Sequence, residues 1–179
     1  MEFLIIFGII AFLILMIVIT SSKRKKQKKE AEKVASEKQA SLYESFIHTA
    51  GLPIPEGTIA TVYYCVDKIE IHASGTQFNL EKERLTDISI KTETEIQTHY
   101  TSSAGGAIGG ALLFGAVGAL IGGRAKQKKT KTIHSYLIIS YTKDDSVDYI
   151  AFDVTSKILQ AQKFKKEFQR TGEQKTITL

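Results

Sequence analysis

Tryptophan is absent from this 179-residue chain, proline occurs twice and cysteine once. The single cysteine, Cys65, excludes an internal disulfide and any multi-cysteine metal site. Such sparing thiol use suits a reducing compartment. The histidines are few and scattered: His48, His72, His99 and His134 form no His-x-x-x-His or Glu-x-x-His pair on a helix, so no metal is expected. His99 and His134 bracket an insert and could face each other across adjacent strands, but surface histidines are the default. Cys65 has no basic neighbour to activate it and reads as a buried, inert thiol. Gly122-Gly123-Arg124-Ala125-Lys126 lacks the Lys-Ser/Thr of a phosphate loop. No catalytic constellation is present, so neither an enzyme nor a cofactor is expected.

The excess of positive charge is equally local. Of the net +5, six basic residues fall between Lys23 and Lys29: Lys23, Arg24, Lys25, Lys26, Lys28 and Lys29. Taking these six from the 24 leaves 18 basic against 19 acidic residues. That remainder does not describe a surface built to cover a nucleic-acid backbone, and no nucleic-acid partner is expected.

What the chain does have is a long uncharged apolar run, Phe3–Thr20, of 18 residues. At about 1.5 Å per helical residue it reaches roughly 27 Å, close to the hydrocarbon thickness of a bilayer. A cleaved signal peptide would start with positive charge and end in small residues. Here Glu2 precedes the run, the basic residues follow it, and no Ala-x-Ala separates the two. Residues 1–22 are therefore expected to be a transmembrane anchor. The following lysines set its orientation, N-terminus out and C-terminal domain cytoplasmic, as a single-pass protein of the cell membrane. The same basic run is expected to contact anionic lipid headgroups, each charge contributing on the order of 1 kcal/mol.

Residues 23–51 read as a basic juxtamembrane segment and helical linker. Glu30 to Ala40 are good helix formers, Val34, Leu42, Phe46 and Ile47 supply a sparse apolar stripe, and Gly51 with Pro53 and Pro55 looks like the stop. From Thr58 the period changes to two. Strands are predicted at Thr58–Val66, Ile69–Ala73, Thr76–Leu80, Leu85–Tyr100, Thr132–Thr142 and Val147–Val154. A helix capped by Thr155 or Ser156 then runs to about Arg170, with Ile158, Ala161, Phe164 and Phe168 on its buried face. Residues 171–179 form a tail.

The order of these strands, the Tyr136-Leu-Ile-Ile-Ser-Tyr141 and Asp148-Tyr-Ile-Ala-Phe152 segments and the closing helix Ser156–Arg170 resemble the bacterial pleckstrin-homology-like (GRAM-related) domains. The resemblance spans residues 58–170 and implies an antiparallel β-barrel plugged by a C-terminal helix. Lipid-binding members carry clustered Lys and Arg between their first two strands. Here that connection is Val66-Asp67-Lys68-Ile69, too short and too neutral to cradle a phosphorylated inositol.

Within the domain lies a Gly/Ala-rich apolar insert, 104–123, without a charged or hydrogen-bonding side chain. Ala107, Ala111, Gly115, Ala119 and Gly123 recur every four positions, a small-residue ridge suited to close helix packing. It resembles a glycine zipper. The insert is followed by Arg124, Lys126, Lys128, Lys129 and Lys131, of which the first four are further candidates for anionic-lipid contact. One further crossing would place these charges outside and separate strands that must pair, so a helical hairpin returning to the same face is expected. A soluble loop and a full span are the competing readings. The sequence thus reads as an α+β protein: an N-terminal transmembrane helix, then a PH-like antiparallel β-barrel with a C-terminal helix, interrupted by a Gly/Ala-rich helical hairpin. The expected function is non-enzymatic binding or scaffolding at a membrane, with the hairpin giving membrane contact or self-association and a homo-oligomer or protein as partner. The alternative is a small membrane-perturbing or pore-forming assembly built from the two apolar segments.

Overall fold

The computed structural model describes residues 2–96 and 133–173. A 36-residue helix, α1 (Glu2–Glu37), leads into seven strands. These are β1 (Leu42–Ala50), β2 (Ile59–Tyr64), β3 (Lys68–Ala73), β4 (Thr76–Glu81), β5 (Leu85–Thr92), β6 (Ser135–Lys143) and β7 (Ser146–Asp153). A final helix, α2 (Ile158–Glu173), follows. All strands join one antiparallel sheet in the order β4-β3-β2-β1-β7-β6-β5. Two meanders, β1 to β4 and β5 to β7, are therefore joined by the β1–β7 pair. That ladder carries a register shift between His48 and Ala50.

Local chemistry explains the turns. Ser74 and Gly75 both have positive φ between the paired ends Ala73 and Thr76, the geometry of a two-residue hairpin loop whose twist matches the strands. Asp144 and Asp145 do the same between Lys143 and Ser146. Period-two alternation then sorts the side chains. Phe46, Val62, Tyr64, Ile69, Ile71, Ile88, Leu137, Ile139, Ile150 and Phe152 fill the inner face, and α2 covers it with Ala161 and Phe164. The Phe46 ring meets Phe152 at 6.1 Å and Phe164 edge-on at 5.6 Å. Phe168 is partly buried against this core, and Ile158, expected on the same helix face, lies at its exposed margin.

Three sequence expectations are corrected. The linker helix does not reach Ala50: α1 stops at Glu37, and Leu42–Ala50 is β1, in the middle of the sheet. The stop is a Schellman motif with Gln39 in the left-handed region (φ 52). Ala40 N–H donates to the Ala35 carbonyl (2.8 Å) and Gln39 N–H to the Ser36 carbonyl (3.2 Å). Gly51 does require its φ of +94, but beyond a strand, where a Cβ would come within 2.0 Å of the Tyr149 carbonyl oxygen.

The strand expected over Leu85–Tyr100 ends at Thr92, and residues 93–96 are helical. Thr92 and Glu95 form a capping box: Glu95 N–H donates to Thr92 Oγ1 (3.2 Å), while Thr92 N–H donates back to Glu95 Oε2 (2.6 Å). Finally, the sheet is not closed into a barrel. β4 and β5 are its two edges, connected through a 3-10 turn, Lys82–Arg84, instead of a tight hairpin, so no ladder joins them.

Candidate functional site

The outer face of the sheet is buried in two separate places, and α1 makes the first of them. Ala31, Val34, Ala35 and Ala40, from the end of α1 and its stop, pack on Tyr43, Tyr63 and Cys65 of the β1–β2 region. Small alanines let the helix approach closely, and the Tyr43 and Tyr63 rings stack at 6.2 Å beneath it.

A buried carboxylate fastens this contact. Glu70 sits mid-β3 on the outer face, with its side chain 3% exposed. It takes hydrogen bonds from Lys38, just past the end of α1, and from Lys68 (3.3 Å) and His72 (3.2 Å) of its own strand. The His72 ring in turn lies 4.8 Å from that of Tyr63. Burial alone would raise the Glu70 carboxyl, but the bonds from Lys38, His72 and Lys68 outweigh it and hold the group below its ordinary value. Glu70 therefore stays ionised, and an ionised carboxylate in such a place requires its cations. Lys38 supplies one of them from the turn that ends α1, so the charge balance of the sheet depends on where α1 ends.

The second outer cluster lies at the root of the insert. Ile96, from the helical segment 93–96, is buried with Tyr136 and Ile138 of β6 and Tyr149 and Ala151 of β7. Asp153 receives a bond from His134 (3.0 Å) and one from the Thr155 amide (2.9 Å). Burial pushes the Asp153 carboxyl up, and the bonds from Thr155 and His134 bring it below its ordinary value. Glu93 N–H donates to the His134 carbonyl (2.9 Å), one step beyond the Thr92–Ser135 pair. The chain thus leaves the sheet from β5 and re-enters it on the neighbouring β6. Between the two clusters Ile47 and Ile59 face each other across β1 and β2, 47% and 68% exposed.

The expected lipid-contact residues divide accordingly. Lys23, Lys25, Lys26, Lys28 and Lys29 project from α1 as exposed side chains ahead of the docked turns. Arg24 shares that helix, though its side chain is outside the description. Arg124, Lys126, Lys128 and Lys129, and the ridge Ala107, Ala111, Gly115, Ala119 and Gly123, lie outside the described residues, as does the hairpin itself. The apolar run Phe3–Thr20 belongs to α1. Phe12 and Met16 are exposed, and the Thr20 hydroxyl donates to the Met16 carbonyl (2.9 Å). Among the described residues no helix is long and apolar enough to cross a membrane. Most side chains of Phe3–Thr20 lie outside that description.

Among the described residues, the histidines and Cys65 make contacts within the fold. His48 is buried, accepting from the Leu52 amide (3.3 Å) with its other ring nitrogen 3.4 Å from the Pro55 carbonyl. Cys65 is buried under α1, where burial and the nearby Glu70 push its thiol up and away from reactivity. His99 lies outside the described residues, and no metal-binding cluster occurs among those described. Glu70 was not a candidate from sequence, because its helix partner is 32 positions away. Comparison with known proteins returned no matching family model and no matching curated protein.

Proposed function

We propose that this chain is a membrane-tethered, non-enzymatic binding or scaffolding protein in which one unbroken helix carries a folded domain at the cytoplasmic face. The observation that carries the reading is the make-up of α1 along its length. Its first half is 18 uncharged residues, its middle is an exposed basic run, and its last turns are clamped to the sheet by Glu70. A bilayer accommodates the first part, since large apolar groups exposed like Phe12 and Met16 are costly in water. The Thr20 hydroxyl, bonded within the helix, adds no unsatisfied donor there. Anionic headgroups suit the basic run. From Thr20 to Ala31, where it docks on the sheet, the helix rises roughly 16 Å, so the domain stands off the surface on a stiff stalk.

A pleckstrin-homology-like character for the domain is supported by the two meanders joined at β1–β7 and by α2 packed on the inner face. In this reading the insert makes membrane contact or self-associates through its small-residue ridge. The adjacent exit and return of the chain on β5 and β6 favour a hairpin that stays on one side of the membrane.

Alkaline carbonate extraction of cells expressing the full chain, with a C-terminal tag, tests the proposal. The chain is expected to stay with the membrane, and the tag to resist protease until the cells are opened. Release by carbonate would overturn the anchor, and digestion of the tag on intact cells would reverse the sidedness.

A further inference from the structure

We propose that the cleft between the Lys82–Arg84 turn and the last turn of α2 binds a small monocarboxylic acid with an apolar body, of about benzoate size. The cleft measures about 180 Å³; a cavity of roughly 150 Å³ is enough to accept a benzene ring. Leu85 and Phe168 give it apolar walls, while Tyr64, Lys82 and Thr171 bring polar groups to it.

Two of those groups lack a counter-charge or a hydrogen-bond acceptor among the described residues. Tyr64, at the end of β2, is 1% exposed, and its hydroxyl makes no hydrogen bond among the described residues. Thr171 lies close enough to offset part of the rise that burial imposes on the phenol. Its hydroxyl donates to the Glu167 carbonyl (2.8 Å), and it stays beyond full hydrogen-bond geometry with the Tyr64 hydroxyl. Buried hydroxyls are nearly always satisfied, so an orphan phenol beside a cavity is suited to an acceptor brought from outside.

Lys82 is the second group. Its ammonium stands 3.9 Å over the centre of the Tyr64 ring, and it forms no ion pair among the described residues. Glu167, the carboxylate acting on it most strongly, is held by Arg170 at 2.6 Å. Burial lowers the Lys82 ammonium from its ordinary value, so a bound anion would favour its charged form.

One cation without an ion pair among the described residues and one orphan donor match one carboxylate. Glu83, exposed at the rim, works against a doubly charged phosphate, and the apolar walls favour a ring or branched chain over a bare ion. None of this rests on the membrane reading.

Fluorine NMR of para-fluorobenzoate with the full chain in lipid nanodiscs tests the site, with empty nanodiscs as background. We expect line broadening that unlabelled benzoate reverses, and little broadening of the neutral para-fluorobenzamide. Lys82→Gln should weaken binding about tenfold, as for loss of a charge-assisted bond, and Tyr64→Phe roughly threefold to tenfold. Because Tyr64→Phe removes an atom with no partner, its unfolding midpoint should be unchanged or raised. Broadening no greater than that with empty nanodiscs, equal response to acid and amide, or undiminished binding in both variants would overturn the site.

Discussion

The two faces of the sheet are built on different principles. The inner face is continuous and apolar, closed by α2, and every strand contributes to it through simple alternation. Among the described residues the outer face is covered only in patches, by the end of α1 and by residues 93–96, and each patch lies beside a buried or half-buried carboxylate with its own cations or donors. The inner face makes the domain stable. The outer face records where the rest of the chain is attached, because Glu70 and Asp153 hold the segments on which the stalk arrives and the insert returns.

That contrast can be broken most severely from the inside. Phe152 is fully buried on the inner face with its ring 6.1 Å from that of Phe46, and Phe152→Ala should cost about 3–5 kcal/mol in chemical unfolding. A loss below about 1 kcal/mol would mean that the inner face is not the cohesive core described here.

Glu70→Ala comes next. Lys38 and Lys68 keep 28% of their side-chain surface exposed and can return to water, so the expected loss is about 1–3 kcal/mol, below that of a fully buried pair. The effect should concentrate in α1, read as faster hydrogen exchange of its last turns while β6 and β7 stay protected. The pH dependence has a definite sign. A carboxyl whose folded value is depressed stabilises above its unfolded value of about 4.5 and loses that contribution as pH falls through the folded value. Acid should therefore loosen the wild-type stalk below about pH 4.5, and Glu70→Gln should remove most of that dependence. An acid response equal in the two proteins would assign it elsewhere.

Thr92→Ala should cost about 1 kcal/mol, the usual value of a helix N-cap, and free Ile96 from the outer patch. Hydrogen exchange at residues 93–96 is the direct readout. Smallest of all, Ile59→Ser falls in the uncovered gap between the patches, and the thermal midpoint should change by no more than about 0.5 kcal/mol equivalent. A large loss would show that something covers this gap.

The contrast between faces also decides what could be read from sequence. Alternation in Ile69–Ala73 and in Tyr136–Tyr141 announces strands, and the spacing of Ala161 and Phe164 announces the helix beneath them, because these signals are local. Leu42–Ala50 escaped because the helix formers ahead of it overran the boundary. The real stop uses Gln39, where a glycine was expected, and Gly51 with the prolines suits the end of a strand as well as that of a helix. The alternation of Leu85–Tyr100 concealed a Thr-x-x-Glu capping box at Thr92 that was legible on its own terms. Glu70 was not legible at all. Its meaning depends on Lys38 arriving from 32 residues away, and a lone Glu between two isoleucines reads only as the solvent side of a strand.

The account stands or falls on α1 and the sheet moving as one body. Spin labels at Lys28 and Asn79, both exposed, placed in a Cys65→Ala background and measured by pulsed electron paramagnetic resonance in nanodiscs, test this directly. The predicted result is one narrow distance distribution that broadens in Glu70→Ala. A broad distribution in the otherwise unaltered chain, or a narrow one indifferent to Glu70, would contradict it.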